Sequence, residues 1–134
     1  MNLLLAIGDG LLTIVHVSIV LGNLLLWIPS ALRRWHLWLA AATCASWYGL
    51  GLLYGMGYCL LTDWQWKLRA ARGVPVAPRS FIHYLLVDGF GLRLTQSTVN
   101  TLTVMTFACV AILSVALNLR DFYHRRRDRA RGNA

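Results

Sequence analysis

Three long stretches without a charged side chain dominate the pattern of this chain. Asp, Glu, Lys and Arg are absent from residues 10–32, 35–62 and 94–119, and each stretch exceeds 20 residues. About 20 apolar residues in an α-helix cross the roughly 30 Å hydrocarbon layer of a membrane. The pattern therefore predicts an all-α integral membrane protein with three transmembrane helices. The predicted spans are residues 3–28, 35–61 and 96–119.

The connection between the second and third spans, residues 62–95, mixes polar and apolar positions and predicts one or two short interfacial helices. Thr62 stands three residues before Gln65, which is the spacing of a capping box, and Gly73 is a typical helix stop. A short helix is therefore predicted over residues 63–72. Its opposite polar and apolar faces are typical of a helix lying flat at the membrane surface.

A proline-containing turn, with Pro75 and Pro78, separates this helix from a second one. Ser80 is a suitable N-cap for a helix that begins at Phe81 and ends at Asp88-Gly89. The predicted organisation is thus a single transmembrane domain over residues 1–119 and a basic tail over residues 120–134.

Composition agrees with a membrane protein. Hydrophobic residues make up 57% of the 134 residues, the mean hydropathy is +0.55, and charged residues make up 13%, against about 25% in soluble domains. The net charge of +8 comes from thirteen Lys/Arg against five acidic residues. Six arginines follow residue 119 and two lie in the first link, which by the positive-inside rule predicts a cytoplasmic C-terminus. Anionic lipid headgroups, not nucleic acid, are the expected partners of the tail.

His16 lies in the middle of the first predicted span, where a polar side chain is costly without a partner. At about 1.5 Å rise per residue, its depth corresponds to that of Tyr48 and Thr106 on the other spans. A hydrogen bond to one of these two residues is the structural interpretation. The alternative is a cofactor-binding role, with His16 as a haem ligand or part of a proton relay.

Four further side chains are predicted at one level, at the opposite end of the spans from the tail: Asp9, Cys59, Asp63 and His83. Carboxylate, thiol and imidazole groups together could bind a divalent metal. The alternative is structural hydrogen bonding, because no close ligand spacing such as Cys-x-x-Cys is present and Asp63 suits the start of its own helix.

Small residues recur every four positions in the second span, at Ala41, Ala45 and Gly49 and again at Gly51 and Gly55. Glycine weakens a helix unless it allows another helix to approach closely, which is how helices associate in lipid. Gly49, Gly51 and Gly55 are therefore predicted packing positions. The pattern leaves open whether they pack within the chain, against a second copy or against another membrane subunit.

The segments GYCLLTDWQW at residues 57–66 and FIHY at 81–84, with His16 and the WHL at 35–37, resemble a family of small bacterial membrane proteins classed as a domain of unknown function. The resemblance extends over nearly the whole chain, although Leu60 stands where the family typically has proline. It implies an integral protein of the bacterial inner membrane and brings no activity. The motif residues expected to have a structural role are Thr62, Asp63, Trp64, Trp66, Phe81 and Tyr84.

No catalytic motif accompanies these features, and Glu is absent. The leading prediction is a non-enzymatic accessory or assembly subunit of a larger membrane complex, with no cofactor. The first alternative is a membrane-embedded protein that binds haem or a divalent metal through His16 or the Asp9/Cys59/Asp63/His83 group. The second alternative is a small transporter built as an oligomer.

Overall fold

The computed structural model describes residues 2–55, 57–76 and 79–132, and every regular element in these ranges is helical. Pro78, which was predicted to lie in the turn of the connection, is outside the described residues. The six α-helices are α1 (Asn2–Leu25), α2 (Arg33–Cys44), α3 (Gly51–Tyr54), α4 (Leu60–Ala71), α5 (Phe81–Tyr84) and α6 (Gln96–Gly132). A π-helical turn, Ala45–Leu50, connects α2 to α3. A second one, Leu85–Gly89, follows α5.

Three helical segments are long and apolar enough to cross a membrane, namely Leu3–Leu25, Arg33–Tyr54 and Gln96–Asp128. The predicted all-α fold with three transmembrane helices is therefore confirmed. The first helix ends at Leu25 and not at residue 28, and Arg33 contacts the turn that follows. Its guanidinium donates to the backbone carbonyls of Trp27 and Ile28 at 3.0 and 3.3 Å.

The second membrane segment ends at Tyr54 and not at residue 61. Gly55 and Gly57 follow it with φ of +107° and +83°, a region that glycine enters without steric cost. A right-handed helix cannot continue through such residues. The chain therefore turns after Tyr54, and the motif around Cys59 belongs to the connection.

Helix α4 begins at Leu60, three residues earlier than the predicted start at residue 63. Cys59 is its extended N-cap residue and makes no side-chain cap. The predicted capping box of Thr62 and Gln65 is therefore wrong, because both residues lie inside the helix. The predicted stop is confirmed, since Gly73 ends the segment with φ of +73°.

The second short helix of the connection follows its prediction. The Ser80 hydroxyl accepts a hydrogen bond from the backbone N–H of His83 at 3.3 Å and so caps α5. The π-helical turn Leu85–Gly89 then carries the chain to Gly89. Helix α6 differs from its prediction at the far end, because it runs on from residue 119 to Gly132 and includes most of the basic tail.

The packing is that of a protein with an apolar exterior and a partly polar interior. Leu52 on α3 is 83% exposed, whereas His36, Gln65 and Ser114 are among the most deeply buried side chains. Helix α4 packs along α1, and α2 packs along α6. Because lipid replaces water around the helices, apolar side chains face outward and the polar ones satisfy each other inside.

Candidate functional site

Asp9 of α1 joins α1 to α4 at the end of the bundle where the connection lies. Its carboxylate accepts hydrogen bonds from Gln65 Nε2 at 2.9 Å, Arg69 Nε at 2.8 Å and Arg72 Nη1 at 3.0 Å. Gln65 Nε2 also lies 2.7 Å from the Thr13 hydroxyl, which donates to the Asp9 carbonyl at 2.9 Å. We call Asp9, Thr13, Gln65, Arg69 and Arg72 the connection-end network.

This network determines which face of α4 points toward the bundle. The face that carries Gln65, Arg69 and Arg72 is turned inward against α1, while Trp64 is exposed. The sequence predicted a helix that lies flat at the membrane surface and did not assign a direction to its faces. The polar face turns inward because the buried carboxylate of Asp9 needs cationic and amide partners, which this face of α4 supplies.

Arg69 is held between its carboxylate and two aromatic rings. Its guanidinium carbon lies 4.2 Å from the centre of the Tyr84 ring and 5.1 Å from that of Trp66. Although burial opposes its charge, the hydrogen bond to Asp9 raises the pKa of Arg69 above its ordinary value. Trp66 in turn donates from Nε1 to the Arg79 carbonyl at 3.0 Å, which ties α4 to the start of the second short helix.

A cleft of about 380 Å³ opens beside Arg69, between α4 and the segment that leads into α5. On its far side Arg79 Nη2 pairs with Asp88 at 2.7 Å. The polar and aromatic side chains that line this connection-end cleft are Asp9, Trp66, Arg69, Arg72, Arg79, Tyr84 and Asp88. The cleft therefore offers several guanidinium groups, two carboxylates and two aromatic rings to a ligand.

His16 lies about two turns further along α1 than Asp9, on the same side of the helix. Its Nε2 is 3.5 Å from the Cys59 sulfur, and its ring stacks on Phe81 with 3.9 Å between centres and 4° between planes. The predicted hydrogen bond to Tyr48 or Thr106 is therefore wrong, because the turn after Tyr54 brings Cys59 back to α1. The buried Nδ1 has no partner within the described part of the chain.

The four residues predicted as a metal group have separate partners. Asp9 belongs to the connection-end network, and Cys59 faces His16. Asp63 pairs with Lys67 at 2.7 Å, and this hydrogen bond lowers the pKa of Asp63; His83 Nε2 lies 3.1 Å from the Leu94 carbonyl. Within residues 2–55, 57–76 and 79–132, no three His, Cys, Asp or Glu side chains are grouped so that they could hold a metal ion.

The three glycines predicted to pack helices have different environments. A Cβ atom added to Gly49 would meet no atom within 4 Å, and Gly49 is exposed. Gly51 is buried, and Gly55 forms the turn after α3. The close approach between α1 and α2 occurs instead at Gly22, where an added Cβ would lie 2.8 Å from a methyl carbon of Leu39.

A second polar cluster, at the other end of the bundle, was not predicted from the sequence. His36 is fully buried, with Nδ1 2.8 Å from the Ser114 hydroxyl and Nε2 2.9 Å from the Asn23 carbonyl. Asn118 Nδ2 donates to the carbonyls of Ser114 and Arg33 at 2.8 and 3.2 Å. The spacing of Ser114, Asn118 and Asp121, which puts three polar residues on one face of α6, is the signal that could have revealed it.

The cluster ends in an ion pair between Arg33 Nη1 and Asp121 at 2.7 Å. Asp121 was predicted to belong to the basic tail, so the start of that tail contacts the bundle. Together these residues join α1, α2 and α6. We call them the tail-end network: Asn23, Arg33, His36, Ser114, Asn118 and Asp121.

A family model described as a protein of unknown function, DUF2784, matches residues 7–119 of the chain. The chain belongs to the DUF2784 family. No curated protein matches the chain, and no solved structure matches it. The predicted resemblance to a domain of unknown function is thereby confirmed.

The DUF2784 match includes the whole connection-end network and most of the tail-end network, and it ends two residues before Asp121. The two longer sequence motifs of this DUF2784 chain lie at the connection end, whereas the WHL at residues 35–37 supplies His36 of the tail-end network. Thr62, Asp63, Trp64 and Trp66 lie on α4, whereas Phe81 and Tyr84 lie on α5. Phe81 is buried against His16, and Trp66 contacts Tyr84 edge to face at 5.4 Å.

Proposed function

We propose that this DUF2784 protein is a non-enzymatic accessory or assembly subunit of a larger membrane complex. The observation that supports the proposal is a row of small residues on the outside of the second membrane segment. Ala41, Ala45 and Gly49 follow each other at four-residue spacing, and all three are exposed. A row of this kind allows the backbone of another helix to approach closely.

In the described part of the chain, this row is not covered by another helix, since all three residues are exposed. Glycine at position 49 costs up to about 1 kcal/mol of helix stability relative to alanine, and no atom of the described chain lies near it to repay that cost. The internal helix contacts use α1, where Gly8 and Gly22 lie against Leu68 and Leu39. The row is therefore available to a helix of a second protein.

The test compares Gly49→Leu with Gly10→Leu. Gly10 is an exposed helical glycine on α1 with no atom within 4 Å of an added Cβ, so it controls for the change in size and helix propensity. Proteins that co-purify from native membranes are quantified for each variant. We expect the amount of a specific co-purifying membrane partner to fall by at least about nine-tenths relative to the wild type in Gly49→Leu and to be unchanged in Gly10→Leu. The leucine side chain would prevent the partner helix from approaching the row of small residues.

Identical sets of co-purifying proteins for all three chains would contradict the proposal. Recovery of a second copy of this chain alone, lost in Gly49→Leu, would favour the oligomeric transporter instead. A photoreactive side chain at position 45 identifies the neighbour directly.

We also propose that the protein lies in the inner membrane of a bacterium with its C-terminus in the cytoplasm. Six arginines beyond residue 119 and two at Arg33 and Arg34 support this orientation, against five basic residues in the connection. The tail is then placed to bind anionic headgroups. A reporter fused after Ala134 that is active only outside the cytoplasm would contradict the orientation.

A further inference from the structure

We infer that the connection-end cleft binds the phosphate group of an anionic membrane lipid. The first argument is charge. Three arginines (Arg69, Arg72 and Arg79) and two aspartates (Asp9 and Asp88) line the cleft, so its lining carries a net charge of three minus two, or +1. A cleft with this charge, lined by guanidinium groups, favours an anion.

The second argument is the number of N–H donors that remain. A guanidinium group has five N–H donors in a planar fork. Arg72 uses Nη1 on Asp9, and Arg79 uses Nη2 on Asp88. Their side chains are 28% and 26% exposed, whereas that of Arg69 is 12% exposed. Arg72 and Arg79 thus present further donors to the cleft, while Arg69 is committed to the interior.

The third argument is that the arginines are held in place before any ligand binds. Asp9 fixes Arg69 and Arg72, Asp88 fixes Arg79, and the rings of Trp66 and Tyr84 support Arg69. A ligand therefore does not have to order these long side chains, and ordering them would otherwise lower its affinity. Fixed donor pairs of this kind suit the tetrahedral oxygens of a phosphate.

The fourth argument selects a lipid as the source of the phosphate. Asp9 lies 16 residues along α1 from Leu25, or about 24 Å, which is close to the roughly 30 Å thickness of the hydrocarbon core. The cleft beside Asp9 is thus near the level of the headgroups. Val74 and Val76 also line it, which gives an apolar wall for the glycerol and the first acyl carbons.

The test uses the full-length protein purified in mild detergent and titrated with short-chain phosphatidylglycerol, short-chain phosphatidylcholine or inorganic phosphate. Bound lipid is counted by native mass spectrometry. We expect phosphatidylglycerol to bind and phosphatidylcholine to bind at least about tenfold more weakly, because the cationic choline group cancels the attraction. Equal binding of the two lipids would overturn the inference.

Three variants locate the binding. Arg79→Gln removes a donor and is expected to weaken phosphatidylglycerol binding about tenfold. Asp88→Asn keeps an oxygen acceptor that can hold Arg79 in place but removes a negative charge from the cleft, and is expected to tighten binding several-fold. Arg93→Gln is the matched control, because Arg93 is an exposed arginine of the same connection that does not line the cleft; it is expected to bind as the wild type does.

An equal loss in Arg79→Gln and Arg93→Gln would overturn the inference, since it would mean that lipid is held by general positive charge. If Arg79→Gln does not fold, the comparison of Asp88→Asn with Arg93→Gln decides, and equal binding by those two counts against the cleft. Displacement of phosphatidylglycerol by inorganic phosphate at the same concentration would contradict the inference that the bound phosphate group belongs to a lipid. None of these outcomes depends on the partner helix proposed at Gly49.

Discussion

The buried polar groups at the two ends of the helix bundle have different kinds of partners. The tail-end network joins α1, α2 and α6 largely through uncharged groups, with His36 between a hydroxyl and a carbonyl. The connection-end network joins α1 to α4 through a carboxylate and two guanidinium groups and borders a cleft. The centre of the first, at His36 and Ser114, is fully buried, whereas the guanidinium groups of the second line an opening. A buried uncharged centre specifies helix packing, and charged groups beside an opening can also bind a ligand.

The largest expected effect is at the centre of the charged network. Asp9→Ala leaves Gln65, Arg69 and Arg72 without their shared acceptor, and removing one partner of a buried ion pair strands the others. We expect a loss of about 3 kcal/mol in the free energy of unfolding, measured by denaturation in detergent. Asp63→Ala is the control, because its carboxylate is only partly buried and pairs with the exposed Lys67. Equal losses would mean that the connection-end network does not stabilise the bundle.

His36→Ala tests the uncharged network. The change leaves the Ser114 hydroxyl and the Asn23 carbonyl unpaired and creates a cavity where a fully buried ring had been. We expect a loss of about 2 kcal/mol by the same measurement, smaller than for Asp9 because no charge is stranded. His124→Ala, at an exposed position of α6, provides the control. A larger loss for His36→Ala than for Asp9→Ala would reverse the ranking of the two networks.

Asn118→Ala should have a smaller effect within the same network. Its amide donates to two carbonyls, those of Ser114 and Arg33, and replacement by alanine removes both bonds. Hydrogen bonds between membrane helices contribute about 0.6 kcal/mol on average, so we expect a loss of about 1 kcal/mol. No loss at all would mean that, within the tail-end network, only His36 and its direct partners contribute to the free energy of unfolding.

The smallest effect is expected on the exposed face of α4. Lys67→Ala removes the ion pair with Asp63, but both groups face solvent, where such pairs contribute little. We expect no resolvable change in the melting temperature. A clear loss would show that the exposed surface of α4 contributes to stability as its buried face does. The two buried networks would then not account for the stability of the bundle by themselves.

The sequence was sufficient for the elements that depend on local pattern. Three uncharged stretches predicted the membrane helices, and Ser80 and Gly73 marked a helix start and a helix end. Apart from several helix ends, the errors concern partners distant in the sequence. Gln65 was assigned to a capping box because Thr62 lies three residues before it, whereas its partner Asp9 is 56 residues away. Local spacing carries no information about such a contact until the fold brings the residues together.

The same limit explains the residues that were placed at the wrong depth or with the wrong partner. His16 was matched to Tyr48 and Thr106 by counting helical rise, which assumes that the second span is a continuous helix. The π-helical turn Ala45–Leu50 and the glycines after Tyr54 break that assumption and return Cys59 to α1. The outward row at Gly49 was visible in the sequence, but the direction it faces was not.

The continuation of α6 to Gly132 has a mechanical consequence. From residue 119 to residue 132 a helix rises about 20 Å, so the first arginines of the tail extend from the bundle on a stiff rod. A tilt of α6 about its contact with His36 would therefore move those arginines by a larger distance than it moves Ser114. By holding α6 against α1 and α2, the hydrogen bonds of the tail-end network determine where the positive charge points.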